Sequence, residues 1–135
     1  MDRKEQAVML HKNGFNCAQA VACSFCHVMG ADPVTTFKLA EPLGYGMGQM
    51  GTCGAVSAMA LVTGMKMSDG NLDQPGTKKE CYRMMSELTD AFKEKIGSIV
   101  CREIRGEDTG TPLLSCDDCI AEAAALLDKY LLGIE

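Results

Sequence analysis

Apolar side chains recur at helical spacing along most of the chain, and this pattern constrains the fold more than any other feature. In the segment from Thr77 to Ile96 they follow one another three or four positions apart. No segment alternates apolar and polar residues in a way that predicts a strand. Glycines and capping residues separate the helical segments. We therefore predict an all-α, compact bundle of about five to six helices.

Capping residues give the predicted boundaries of these helices. Asn16, Thr52 and Ser115 are predicted N-caps, and Thr77 with Glu80 has the spacing of a capping box. A glycine-rich stretch over residues 44–51 is predicted to be a loop. The main predicted helices cover residues 3–12, 16–29, 33–43, 53–67, 77–96 and 116–132, and Ser98 could begin a further short helix.

Length and charge narrow the class of protein. The 135 residues suit a single domain over residues 1–135. A net charge of −5 and the absence of Trp argue against nucleic acid as a partner. The charged N-terminus has no signal-peptide core, and the longest apolar run, residues 53–65, is too short to span a bilayer. We expect a cytoplasmic protein without membrane insertion.

The chain carries eight cysteines, and in a reducing compartment this number suggests metal binding or redox chemistry. Cys17, Cys53 and Cys116 each follow a predicted cap, and Cys101 comes three residues after Ser98. The unpaired N–H groups and the dipole of a helix start favour the thiolate form. If the four helix starts meet, their thiols form a four-cysteine site.

Small residues around the second of these cysteines could admit a cofactor. We predict Gly51, Gly54 and Ala55 as cofactor-binding positions, because they allow close approach and can present N–H groups to sulfur. A close helix–helix crossing explains the same small residues equally well.

Four segments of the chain resemble the redox-active family named for its C_GCAxxG_C_C cysteine pattern. They are Asn16-Cys-Ala-Gln-Ala-Val21, Gly51-Thr-Cys-Gly-Ala-Val-Ser57, Ser98-Ile-Val-Cys-Arg-Glu-Ile104 and Cys116-Asp-Asp-Cys-Ile-Ala-Glu-Ala-Ala124. The resemblance implies a compact helical domain with Cys17, Cys53, Cys101 and Cys116 as signature cysteines. Ala58 stands where the motif has glycine, which puts close packing of that helix in doubt. A related domain in split-Soret cytochromes, for which an iron–sulfur site has been proposed, favours a cluster over a bare dithiol.

The sequence therefore predicts a redox protein whose four signature cysteines bind an iron–sulfur cluster, or another metal, for electron transfer to a redox partner protein. One alternative is a metal-free thiol–disulfide redox protein or sensor that uses the same thiols, and another is a structural zinc module. His11 and His27 lie outside the motif segments, so no acid–base constellation is visible and we do not expect a conventional enzyme.

The remaining cysteines are assigned other roles. Cys81 and Cys119 are predicted to pack in the core, although Cys116-x-x-Cys119 also has the spacing of a dithiol oxidoreductase. Cys23-x-x-Cys26-His27 has the signature of c-type haem attachment. It lies in a predicted continuous helix, on the polar face opposite Cys17, and attachment takes place outside the cytoplasm. We therefore do not expect covalent haem, and expect an exposed thiol pair, an adventitious metal site or a contact in a homodimer.

Overall fold

The computed structural model describes residues 1–134 and shows eight α-helices. Six of them have eight or more residues, and two are short. Within the described residues there is no β-strand, only an isolated bridge between Thr52 and Val100. The all-α prediction is confirmed, whereas the predicted count of five to six helices is too low. The helices are α1 Arg3–Lys12, α2 Cys17–Ser24, α3 Cys26–Met29, α4 Pro33–Ala40, α5 Gly54–Met67, α6 Lys78–Ile96, α7 Cys101–Arg105 and α8 Cys116–Leu132.

Helix α5 forms the centre of the bundle. It packs against α2, α6 and α8 at the same time. Its first turns carry small buried residues, including Ala55 and Ala58, and its second half buries Val62. Small side chains allow neighbouring backbones to approach closely, so the N-terminal end of α5 lies tightly between its neighbours. The methyl group of Ala58 is accommodated in this core with no exposed surface.

Helices α1 and α8 pack side by side and run antiparallel. Near one end, the Arg3 guanidinium donates from Nε to an Asp128 carboxylate oxygen at 2.5 Å. Near the other, His11 Nδ1 lies 2.6 Å from a carboxylate oxygen of Asp117. Because the start of α1 meets the end of α8, the first turn of α8 comes to lie beside the end of α1.

Two predicted helices are shorter than expected. The predicted helix over residues 16–29 is divided at Phe25, where the Ser24 hydroxyl donates to the Val21 carbonyl at 2.7 Å and competes with the helical hydrogen bonds. The predicted helix over residues 33–43 ends at Ala40 and continues only as a 3₁₀ turn that contains Pro42, which has no N–H to donate.

The predicted capping box of α6 is wrong. The Thr77 side chain caps nothing. Its hydroxyl instead accepts from the Asp69 backbone N–H at 3.1 Å, which closes the preceding surface loop. Among residues 1–134, no helix has both the length and the apolar character needed to cross a membrane.

Candidate functional site

A small cavity lies where the first turns of α2, α5, α7 and α8 meet. Its volume is about 30 Å³, which leaves room for a water molecule. Five of its nine lining residues are cysteines, and we call it the thiol cavity. The structure thus brings the four cysteines predicted from the helix starts to one place, and adds a fifth. The lining residues are Cys17, Tyr45, Cys53, Gly54, Cys101, Ile104, Arg105, Cys116 and Cys119.

Local capping places two of these cysteines as the sequence predicts. Asn16 forms a full capping box with Gln19, so Cys17 is the first residue of α2. The Ser115 hydroxyl accepts from the Asp118 N–H at 3.1 Å, so Cys116 is the first residue of α8. Both caps satisfy N–H groups that would otherwise lack partners, and both fix the direction in which the helix leaves the cavity.

A backbone bridge holds Cys53 and Cys101 next to each other. The Cys53 N–H donates to the Ile99 carbonyl at 2.7 Å, and the Cys101 N–H donates to the Gly51 carbonyl at 2.6 Å. The predicted caps Thr52 and Ser98 are therefore wrong. Thr52 belongs to the bridge, the cap of α5 is Cys53 itself, and that of α7 is Val100.

The predicted cofactor-binding residues lie around Cys53 in different ways. Gly54 lines the cavity, and a Cβ atom built there would overlap Cys17 Sγ and approach the Leu43 carbonyl at 3.1 Å. Gly51 contributes its carbonyl to the bridge. The backbone N–H of Ala55 hydrogen-bonds to the Cys53 sulfur. The space left by the missing side chain of Gly54 is thus occupied by the Cys17 thiol.

The glycine-rich loop supplies one N–H donor to the thiol cavity. It folds back on itself through a hydrogen bond from Gly51 N–H to the Gly46 carbonyl at 2.9 Å. Tyr45 has a φ of 55°, a left-handed conformation that is costly for a non-glycine residue. In this conformation its backbone N–H hydrogen-bonds to Cys17, which holds the pKa of that thiol down against larger opposing effects. The predicted N–H donation to sulfur is therefore present at Tyr45.

Arg105 is a cavity residue that the sequence reasoning missed. Its Nε donates to Cys101 Sγ at 3.3 Å, and its guanidinium lies 4.7 Å from the centroid of the Tyr45 ring. This places a positive charge against the thiols, held between a sulfur and an aromatic face. A signal was available, since Arg105 follows Cys101 by one helical turn.

Cys53 and Cys119 shift each other's pKa in opposite directions. The Cys119 thiol hydrogen-bonds to Cys53 and is the largest cause that lowers the pKa of Cys53 to about 7, followed among the lowering causes by the N–H groups of Ala55 and Val56 and by the charge of Arg105. The pKa of Cys119 is raised, first because its proton is held by Cys53 and then because it is buried. Cys119 is a core residue as predicted, with only 2% of its surface exposed, but it also contacts the site.

The expectation that every helix start lowers its thiol pKa is wrong at two positions. Burial raises the pKa of Cys17, and the nearby Cys53 adds to that effect. Burial also raises the pKa of Cys116, against the opposing charge of Arg105. Loss of hydration disfavours a charged thiolate, and here it outweighs the helix dipole. Cys53, by contrast, has a lowered pKa.

The cysteines outside the thiol cavity are placed differently from the predictions. Cys26 is buried, with 3% of its surface exposed, so the predicted polar face of this segment is wrong. Gln19, expected on the same face, is also buried and donates to the Phe37 carbonyl at 3.2 Å. Cys23 is half-buried, while His27 is exposed. Cys81 is only half-buried on α6, so its predicted core position is reached in part.

A helical domain with several thiols gathered at helix starts, beside a cation, has the donor groups of a thiol redox site or of a thiolate metal site. Over residues 15–130 the sequence matches the family model described as "Putative redox-active protein (C_GCAxxG_C_C)", and the chain belongs to this family. The resemblance of the four cysteine segments is thereby confirmed. No curated protein and no solved structure shows significant similarity to the chain.

Proposed function

We propose that the protein is a cytoplasmic thiol redox protein whose redox site is the thiol cavity. The observation that carries this proposal is that Cys53 and Cys119 line one small cavity together with three further thiols, where Cys119 is the largest cause of the lowered pKa of Cys53. All eight cysteines are free, which suits a reducing compartment. The partner would be a protein or small molecule that carries a disulfide.

The position of Cys53 and Cys119 in one cavity supports a dithiol–disulfide exchange with the partner. The Cys53 thiolate attacks one sulfur of the partner disulfide, forms a mixed disulfide and releases the first partner thiol. The Cys119 thiol then loses its proton and attacks Cys53 Sγ, which forms the Cys53–Cys119 disulfide and releases the second partner thiol. The Cys53 thiolate and the Cys119 thiol together give up two electrons and one proton, and with one further proton from solvent the partner disulfide becomes two thiols.

The effect of each thiol on the pKa of the other sets the order of these two reaction steps. While Cys53 is a thiolate, its charge and hydrogen bond are among the main causes that raise the pKa of Cys119. Once Cys53 is in a mixed disulfide, that charge is gone and only burial and the more distant thiols still hold the proton on Cys119. Ionisation of Cys119 therefore becomes easier at the step that needs it.

A second candidate is a thiolate-bound iron–sulfur cluster held by Cys17, Cys53, Cys101 and Cys116. The cavity lining favours it, because its potential ligands are all thiols and Arg105 would offset part of the negative charge of a thiolate cluster. The donor types therefore fit. The spacing does not yet fit, since residues 1–134 contain no group of three or more ligands placed to hold a metal ion. When bound, the cluster would supply one-electron transfer.

Anaerobic purification followed by measurement of iron, sulfide, zinc and visible absorption separates the two candidates. A colourless, metal-free protein supports the dithiol. Stoichiometric iron and sulfide support the cluster, and stoichiometric zinc without colour refutes both in favour of a structural zinc module.

Oxidation with glutathione disulfide tests the dithiol directly. We expect peptide mapping under non-reducing conditions to show a Cys53–Cys119 link. Cys119→Ser should stop the reaction at a mixed disulfide of glutathione with Cys53, whereas Cys81→Ser, on α6 and outside the cavity, should leave the link unchanged. A mixed disulfide that accumulates on another cysteine while Cys53 stays reduced would refute the assignment.

A further inference from the structure

A large groove lies between α1, α3 and α4 and shares no residue with the thiol cavity. Its volume is about 760 Å³, within the range of sites for cofactors and drug-sized ligands. Most of its walls are apolar, and we call it the α1–α4 groove. Its apolar lining includes Leu10, Phe15, Ala31, Pro33, Val34 and Phe37.

Three residues with ligand chemistry line the same groove. Cys23, Cys26 and His27 all contribute to its surface. Because α2 ends at Ser24 and α3 begins at Cys26, the Cys23-x-x-Cys26-His27 segment is not part of one continuous helix. The sequence instead predicts an unbroken helix with this segment on a polar face. The structure differs on both points, since the helix is interrupted and the segment lines an apolar groove. The two conformational reasons against haem at this segment are therefore removed.

We propose that the α1–α4 groove binds an iron porphyrin, with His27 as a ligand of the iron and the Cys23 and Cys26 thiols beside the macrocycle. A neutral imidazole is a common haem ligand. The faces of a porphyrin are apolar and need walls such as those this groove offers. The porphyrin is the occupant that uses the imidazole, the two thiols and the apolar walls together.

The walls and the thiols are suited to this occupant before it binds. The rings of Phe15 and Phe37 pack edge to face, with their centroids 5.1 Å apart, which gives a preformed aromatic wall. Burial and the neighbouring Cys26 raise the pKa of Cys23 to about 11, so this thiol keeps its proton at neutral pH. A protonated thiol can add to a porphyrin vinyl group, with sulfur on one carbon and hydrogen on the other, without an oxidant or reductant.

Titration of the full chain with ferric haem, followed by dithionite reduction, tests the site through the Soret band. We expect saturation at a stoichiometric amount of haem. His27→Ala should weaken binding by about tenfold or more, since loss of even an indirect metal partner has an effect of that order. His11→Ala, which removes a histidine outside the groove, should leave the affinity unchanged. Haem binding that does not saturate, or that His27→Ala leaves unchanged, would overturn the proposal.

Acid denaturation of the haem complex shows how the porphyrin is held. After co-expression with a haem-attachment system, retention of one haem mass that is lost in the double variant Cys23→Ser/Cys26→Ser but kept in Cys81→Ser supports thioether attachment. Release of all haem, together with the His27-dependent Soret band, supports the same site held by coordination alone. Either result is independent of the thiol cavity, because the two sites have no residue in common.

Discussion

Replacement of Cys119 by alanine removes the largest cause of the low Cys53 pKa. That contact lowers the pKa of Cys53, from 9.0 to about 7 in total, against the opposing effect of burial. A shift of about two units corresponds to about 3 kcal/mol. Without the Cys119 proton donor, burial is the largest remaining effect. The Cys53 pKa should therefore rise towards the ordinary thiol value of 9.0, whereas in Cys119→Ser the hydroxyl can still donate and should keep it lower.

The change in pKa gives opposite effects on reactivity at low and high pH. At pH 7 about half of Cys53 is thiolate in the native protein, against about one hundredth at a pKa of 9. A more basic thiolate is also more nucleophilic, with a Brønsted coefficient of about 0.4–0.5. Together these effects predict that Cys53 in Cys119→Ala reacts more slowly at pH 7, by about sixfold if its pKa returns fully to 9.0, and up to several-fold faster at pH 10.

Alkylation of the reduced, metal-free protein with iodoacetamide measures this crossover. The modified fraction of Cys53 is followed against time by peptide mass spectrometry at each pH, which separates it from the other cysteines. If the variant only changed the access of iodoacetamide to Cys53, alkylation would be slower, or faster, than in the native protein at both pH values. Opposite effects at low and high pH therefore report the change in pKa. Slower or faster reaction of the variant at every pH would refute the proposed role of Cys119 as a proton donor to Cys53.

Three further predictions test other parts of the structure. Gly54→Ala should lower the free energy of unfolding in urea by about 1–3 kcal/mol, because the added methyl group overlaps a neighbouring thiol. Gly64→Ala, on the same helix but with open space around it, should be neutral or stabilise by up to about 1 kcal/mol. Ser115→Ala should cost about 0.5–2 kcal/mol for the lost cap, and Thr77→Ala clearly less; equal costs would contradict the observed caps. Arg105→Gln should raise the pKa of the thiol that begins α8, seen as slower alkylation near pH 8, and an unchanged rate would show that the guanidinium does not act on it.

The parts of the fold that depend on neighbouring residues could be predicted from the sequence. The bounds of α1 and α8, and the caps Asn16 and Ser115, agree with the structure because capping is a matter of a few adjacent residues. The predicted caps at Thr52 and Ser98 were wrong for the opposite reason. Both segments are engaged by residues almost fifty positions away, through the Thr52–Val100 bridge, and no local pattern announces that pairing.

The candidate site shows the same division. Helical spacing alone would place Cys119 one turn after Cys116, and Arg105 one turn after Cys101, so both could have been included with the four signature cysteines. The contacts that these two residues make in the thiol cavity could not have been predicted in this way. The approach of Cys119 to Cys53 depends on how α8 packs against α5, which sequence periodicity does not specify.

The balance of burial and charge in the thiol cavity has a consequence for both proposed forms of the site. Two thiolates about 4 Å apart repel by about 4 kcal/mol at an effective dielectric constant of 20, equivalent to about three pKa units. The raised pKa values of Cys17, Cys116 and Cys119 agree with a negative charge that sits first on Cys53, whose lowered pKa the charge of Arg105 supports. A dithiol mechanism needs only one thiolate at a time, first on Cys53 and then on Cys119. A cluster needs four, so loading it must expel the remaining protons, and its affinity must rise steeply with pH. Iron loading that does not depend on pH would therefore count against ligation by these four cysteines, even in a brown protein.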